Sequence, residues 1–366
     1  MEINFGKKAP EETLKELIAD YEQVMNEPLG LSDPMRLFLN CQAVWFTQLR
    51  FLIDFTGKQN LLTYAEGEYL NAQGDLRGVP RLTALPAKTT LKFTLKENQI
   101  NQVIIPSETK VSSSDGFVFI TTETGKINAG DMECEVLGIA AISGKIGNAY
   151  DIGSVVNIAD NLTFPVSVTN TDKVSGGADY ENDEHYRERI ILSMERFSTA
   201  GAVEAYRYHT LSSNPAIEDV SVISPAPGQV NLYILMEGAR QPTNQEINRT
   251  YNHVNDEKVR PLTDNVTVMG PIPEMFHIGL TYYISRTDLT KEQTIINRVN
   301  NAINNYITWQ CEKIDRDINP SKLVADIISA GAKRVELESP VFKTLNGGYL
   351  ATLSNTNILY GGIEHD

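Results

Sequence analysis

Six carboxylates, three arginines, a histidine and two tyrosines fall within GGADYENDEHYRERIILSMERF, Gly176 to Phe197. Acids beside a histidine could orient an imidazole for proton transfer, and Asp183, Glu184 and His185 are the residues for that chemistry. The spacing favours another use. Neighbouring residues on a helix point in different directions, so three in a row converge poorly on one substrate. Asn182 or Asp179 can cap a helix. Asp183 and Glu184 then sit at its positive end, and Arg187, Arg189 and Arg196 follow toward the negative one. Asp183 with Arg187 and Glu184 with Arg187 are i,i+4 and i,i+3 pairs, each stabilising a helix by about 0.2–0.5 kcal/mol. Tyr186, Ile190, Met194 and Phe197 share one face. A capped helix accounts for most of these residues without any reaction.

Elsewhere the chemical signals are sparse. The five histidines, His185, His209, His253, His277 and His365, form no HExxH motif and no i,i+4 pair, so no metal site is expected. There is no GxSxG elbow, no phosphate-binding GxxxxGK[ST] loop and no GxGxxG dinucleotide turn. No catalytic, metal or cofactor residues are assigned, and the reading is of a chain that is not an enzyme.

The 366 residues carry 32 basic and 47 acidic side chains, a net charge of −15 that repels phosphate backbones and argues against nucleic acid as a partner. Cys41, Cys134 and Cys311 stand far apart, which predicts reduced thiols and neither a disulfide framework nor a zinc site. MEINFGKKAPEET holds no apolar leader segment, and no run of about 18 apolar residues occurs. Cytoplasmic synthesis without membrane insertion is expected.

The elements that would position any site fall into four regions. The first, 1–81, is helical. Leu14, Leu17, Ile18, Tyr21, Val24 and Met25 form one stripe between Glu11 and Asn26. A second helix starts at Ser32 or Asp33 with Pro34 in its first turn and is expected to stop at Gly57. It is apolar on more than one face. Phe38, Trp45, Leu49 and Leu52 are expected to meet other helices, some of them from another chain. LLTYAEGEYLNAQGDLRGVPR then reads as a short helix and a connector. The second region, 82–175, has short β-branched runs between glycine turns and predicts an all-β sandwich or barrel.

The third, 176–272, predicts a helix, a hairpin turning at Pro227-Gly228, a helix opened by a Thr243–Glu246 capping box, and a strand. The fourth, 273–366, predicts a strand, a helix opened by Thr290 with Gln293, a helix begun by Asn319-Pro320 and a strand around Val335. The fold class is thus α+β and multidomain: N-terminal helices, a central all-β domain and two small α+β modules.

GGADYENDEHYRERI, FSTAGAVEAYRYHTLS, DVSVISPAPGQVNLYIL and VRPLTDNVTV, in that order and spacing, resemble the baseplate J-like family of contractile phage tails and related bacteriocin particles. LLTYAEGEYLNAQGDLRGVPR extends the likeness, which covers roughly Leu61 to Val268. Asn71 and Asn182 depart from the family pattern, where aspartate and serine or threonine are frequent; either asparagine could still cap a helix.

The resemblance implies a structural wedge subunit that forms a triplex with a second copy of itself and a smaller wedge partner. It also implies contacts with neighbouring wedges and with sheath-initiating and spike or hub proteins, in the baseplate of a tail or tail-like particle. Leu14, Leu17, Ile18, Tyr21, Met25, Phe38, Trp45 and Leu49 are the expected subunit interface. Gly176, Gly177, Asp179, Asp183, Glu184 and Arg187 are the expected joint between the β region and the modules. A receptor- or glycan-binding tail protein is the alternative.

Overall fold

The computed structural model describes residues 3–195, 203–256, 259–261 and 263–365. Phe197 and Arg196, placed on the helix by the sequence, lie outside them. The chain divides into two compact units, Met1–Arg81 with Tyr186–Ile190, and Leu82–His185 with Ile191–Asp366.

The first unit is helical. α1, Pro10–Met25, begins on a proline and ends where Asn26 turns left-handed at φ 54°. α2, Pro34–Gln59, is capped by the Asp33 carboxylate, which accepts from the Met35 amide at 2.8 Å. It outlasts the expected stop. Gly57 lies inside the helix, two residues before its end, and a Cβ there would sit 2.7 Å from the Phe5 ring, so this glycine serves close approach.

Leu39, Ala43 and Thr47, four residues apart, give α2 a buried side. Two of these are small, which admits a neighbouring helix closely. Glu16 of α1 reaches Arg50 of α2 at 3.1 Å and also pairs with Lys8. Asp54, buried, accepts from the Phe5 amide at 2.8 Å and pairs with Lys58 at 3.0 Å. α3, Gly67–Asp75, follows, and Asn71 sits within it instead of capping it; its side-chain oxygen accepts from Arg81 at 2.7 Å.

The second unit opens with eight strands: β1 Lys88–Leu95, β2 Val103–Ile105, β3 Lys110–Ser113, β4 Val118–Thr121, β5 Gly125–Ile127, β6 Glu133–Ala140, β7 Val155–Ile158 and β8 Val166–Asn170. Six of them form an antiparallel sheet in the order β7-β3-β4-β6-β1-β8, with β2 and β5 as a separate ribbon. The sheet nearly closes. Across its two ends the Gly153 amide reaches the Asn170 carbonyl at 3.1 Å, and the Val155 amide reaches the Asn170 side chain at 3.0 Å. Alternate residues of β1, Leu91 and Phe93, point inward with Val111, Phe119, Val136 and Val155 to fill the barrel.

Beyond α4, Asp183–Leu192, come α5 Val203–Leu211, β9 Ile217–Ile223, β10 Gln229–Met236, α6 Asn244–Val254 and β11 Asn265–Met269. β10 is central, antiparallel to β9 and parallel to β11. The hairpin turns as its sequence demands: Gly228 has φ 74° and the Gln229 amide returns to the Ala226 carbonyl at 3.0 Å. Thr243 and Glu246 make both bonds of the capping box.

The last elements are β12 Ile272–Ser285, α7 Glu292–Cys311, α8 Pro320–Ser329, β13 Arg334–Ser339 and β14 Tyr349–Glu364. Ile295, Val299, Ile303 and Tyr306 turn inward from α7 as their spacing predicts. The start of α7 differs. A 3-10 turn over Arg286–Lys291, begun by the Ser285 hydroxyl, precedes it and absorbs Thr290, so no cap forms with Gln293. The sheet runs β13-β12-β14, with the 16-residue β14 parallel to β12. The sequence reading has no counterpart to that strand.

Candidate functional site

α2 shows an unusual amount of apolar surface. Its buried residues Leu39, Ala43 and Thr47 occupy one side, and Phe38, Trp45, Leu49 and Leu52 recur on the opposite side, at offsets of 7, 4 and 3 residues. Within this chain Trp45 is 66% exposed and Leu52 59%. Leu37, Val44, Phe46, Phe51, Ile53 and Phe55 are exposed as well. Arg36, Asn40, Gln42, Gln48 and Arg50 interrupt this apolar surface. On α1, Leu14, Leu17, Ile18 and Tyr21 are half-buried, while Val24 and Met25 stay exposed. Trp45 and Leu49 are therefore not where α1 folds back. The half-buried four retain area that a partner could cover, and Val24 and Met25 retain more.

Tyr186, Arg187 and Arg189 are organised around backbone carbonyls. In the first unit, Arg187 donates to the carbonyls of Leu62 and Ala65 at 2.9 and 2.8 Å, and Arg189 to that of Pro80 at 2.8 Å. The Tyr186 hydroxyl donates to the Val79 carbonyl at 2.7 Å, and the Arg81 guanidinium lies 4.5 Å from the Tyr186 ring. Gly74 is the seat of that tyrosine: a Cβ there would be 1.8 Å from its hydroxyl. These bonds tie the connector of residues 61–81 to a helix more than a hundred residues later.

In the second unit Asn182 caps α4, accepting from the His185 amide at 2.9 Å. Asp179 does not. Its carboxylate accepts from the Lys145 amide at 2.9 Å and pairs with the Lys145 ammonium at 3.1 Å, and that amide and ammonium hold its carboxyl below the usual carboxylate range. Gly176 has φ 82°, a left-handed conformation suited to glycine. Gly177 is needed for space, because a Cβ would lie 2.4 Å from the Gly144 carbonyl oxygen. Asn148 brackets the Gly177 backbone, donating to its carbonyl at 2.7 Å and accepting from its amide at 2.9 Å.

The acid on His185 is Glu181, at 2.5 Å from Nδ1, and not Asp183 or Glu184. Both partners are buried, the other Glu181 oxygen accepts from the Leu82 amide at 2.7 Å, and His185 Nε2 is enclosed. Glu184 lies exposed. The arrangement fixes the chain where the β region meets α4 and offers no imidazole nitrogen to a substrate. Sequence reasoning missed Glu181 and Asn148, whose backbone partners lie 99 and 29 residues away, and Lys145, whose amide and ammonium meet the Asp179 carboxylate 34 residues away. Among the described residues no group of three or more His, Cys, Asp or Glu could hold a metal ion, and no helix is long and apolar enough to cross a membrane.

Two family models match the chain: the baseplate J-like protein barrel domain over residues 90–177, and the baseplate J-like central domain over residues 198–270. Among curated proteins, baseplate protein J of Escherichia phage P2 is 31% identical over 186 residues, which cover 50% of this chain and 61% of that protein. Among solved structures, a chain of the cryo-EM structure of the anti-feeding prophage baseplate aligns with a TM-score of 0.45 and 12% identity, over 93% of this chain and 90% of that one.

Proposed function

We propose that this chain, which matches the baseplate J-like barrel and central domain models, is a structural baseplate wedge subunit of a contractile tail or injection particle. It forms a triplex with another copy and a smaller wedge partner. It builds the ring around the central spike through contacts with neighbouring wedges, and it meets sheath-initiating and spike or hub proteins. The phage P2 relative, a baseplate protein by name, supports this reading.

The observation that carries it is the uncovered stripe on α2. Covering Phe38, Trp45, Leu49 and Leu52, each between half and two-thirds exposed, stabilises an assembly by roughly 3.5–7 kcal/mol in all before ordering costs, at about 1.5–3 kcal/mol for a fully exposed side chain. With half-buried Leu14, Leu17, Ile18 and Tyr21 and exposed Met25 of α1, α2 supplies the helices of an intersubunit bundle. Residues 1–81 serve as the bundle and connector, 82–175 as the barrel, and 176–272 and 273–366 as two modules that face other subunits. Gly176, Gly177, Asp179, Asp183, Glu184 and Arg187 act as the joint between barrel and modules. Their charges set geometry, not chemistry.

The test is co-purification from assembled particles with subunits identified by mass. Full-length chain carrying Trp45→Glu and Leu49→Glu keeps its circular dichroism, since both side chains are exposed, and loses the wedge partner. Particles that retain the partner and close normal baseplates with this variant would refute the reading.

A further inference from the structure

The side-chain amide of an asparagine can be attacked by the backbone nitrogen of the residue after it, and a glycine there has no Cβ to crowd the approach. The sequence contains one Asn-Gly pair, Asn346-Gly347. Both residues are exposed on the loop between β13 and β14, and a Cβ on Gly347 would meet nothing within 4 Å. Among the described residues neither the Asn346 side chain nor the Gly347 amide has a hydrogen-bond partner. Asp115-Gly116 is the corresponding aspartyl pair, and it is tied down. The Gly116 amide donates to the Ser113 carbonyl at 3.1 Å. The Asp115 carboxylate accepts from the Ser113 hydroxyl and from the Tyr150 hydroxyl at 2.9 Å, bonds that hold its carboxyl below the usual carboxylate range.

The loop is anchored on both sides of the Asn-Gly pair. The Leu345 amide donates to Asp317 at 2.9 Å, and the Gly348 and Tyr349 amides donate to Asp315 at 2.8 and 3.1 Å. Asp315 also accepts from the Ser221 hydroxyl of β9 at 2.6 Å. Gly348 lies so near Tyr233 of β10 that a Cβ would be 2.6 Å from the ring, and Ile314 and Leu350 pack with Tyr233 and Leu235 around this seat.

We infer that Asn346-Gly347 is a site of spontaneous deamidation, with water as the co-reactant, and that its products unseat this loop from β10. The Gly347 nitrogen gives its proton to solvent and bonds to Asn346 Cγ. The Cγ–Nδ2 bond breaks, and the side-chain nitrogen takes up a proton and leaves as ammonia. Water then opens the resulting cyclic imide. Cleavage of its nitrogen–Cγ bond restores the backbone and leaves a side-chain carboxylate; cleavage at the main-chain carbonyl carbon routes the backbone through Cγ, one carbon longer. Nothing is oxidised or reduced. Either product adds a negative charge beside Asp315 and Asp317, the two carboxylates that hold the neighbouring amides. The longer backbone must also fit between anchors at Leu345 and Gly348, with Gly348 already against the Tyr233 ring. The change runs one way and so accumulates with the age of the chain. The inference is independent of the baseplate reading.

Full-length chain aged in mildly alkaline buffer, then digested and read by tandem mass spectrometry, tests the site. Asn346 is expected to be the first asparagine to convert to acid, giving aspartyl and isoaspartyl peptides that separate on a column, while Asp115 forms no isoaspartyl product. Hydrogen exchange tests the consequence: in the aged chain, peptides covering 345–350 and β10 are expected to lose protection and those of β1 to keep theirs. Asn346→Gln, an exposed change that would require a larger ring, is expected to abolish both effects under the same ageing. An Asn346 that stays amidated while the same chain unfolded in guanidinium converts would overturn the site. Conversion with unchanged exchange at 345–350, or lost protection that persists in aged Asn346→Gln, would overturn the unseating.

Discussion

Tyr186→Phe removes one oxygen atom from a fully buried site, and its cost follows from the geometry. The hydroxyl sits 2.7 Å from the Val79 carbonyl, and the ring stays under the Arg81 guanidinium whether or not the oxygen is present. The variant therefore keeps its packing and leaves a buried carbonyl short of a donor. That loss costs about 1–3 kcal/mol, and at 1.4 kcal/mol per factor of ten it speeds local opening by roughly 5- to 150-fold. The chain has more than one unit, so a single melting temperature would blur the effect. Hydrogen exchange resolved to peptides is the appropriate assay: amides in residues 61–81 should exchange faster by that factor, while those of β12 keep their rates. Unchanged exchange in 61–81 would refute the claim that this hydroxyl fastens the connector.

Gly177→Ala drives a methyl to 2.4 Å from the Gly144 carbonyl and 3.0 Å from the Ala87 Cβ, so denaturant unfolding should show a loss of about 1–3 kcal/mol. Burial pushes the Glu246 carboxyl up, but hydrogen bonds from Arg240, at 2.5 Å, and from Thr243 more than offset this and leave it below its ordinary value. A depressed folded pKa gives stability that is complete above the unfolded value of about 4.3 and is lost as pH falls through the folded one. Glu246→Gln should flatten that acid limb of the stability curve and lower the plateau at neutral pH.

Much of this fold is legible in the sequence because the signals are local. The capping box at Thr243 and Glu246, the Pro227-Gly228 turn and the inward stripe of α7 each depend on residues a few positions apart, and each forms. Gly57 misleads because its role is contact with Phe5, 52 residues away, and not helix termination. β14 escapes notice since NTNILYGG mixes asparagine and glycine in a turn-like composition, while the parallel partner that makes it a strand begins 77 residues earlier. The carbonyl network of Tyr186, Arg187 and Arg189 is opaque for a related reason. A carbonyl belongs to every residue, so Leu62, Ala65, Val79 and Pro80 bear no mark of being acceptors. The exposed stripe on α2 was readable as apolar, and its lack of cover became visible only once the chain had used up its own neighbours.

The first unit is not contiguous: Tyr186–Ile190 complete what Met1–Arg81 begin. On the ribosome this imposes an order in time. Roughly a hundred residues, including every strand of the barrel, must be synthesised between Arg81 and Tyr186, which at about 5–20 residues per second is on the order of 5–20 s. Throughout that interval the carbonyls of Leu62, Ala65, Val79 and Pro80 await their donors, and the apolar helices ahead of them are already outside the tunnel. In chain order the barrel is thus an insertion, synthesised before the first unit is complete, and the Tyr186–Ile190 segment acts as a late clasp within that unit. A newborn chain has its most adhesive surface available to passing partners before its own last bonds to that unit can form.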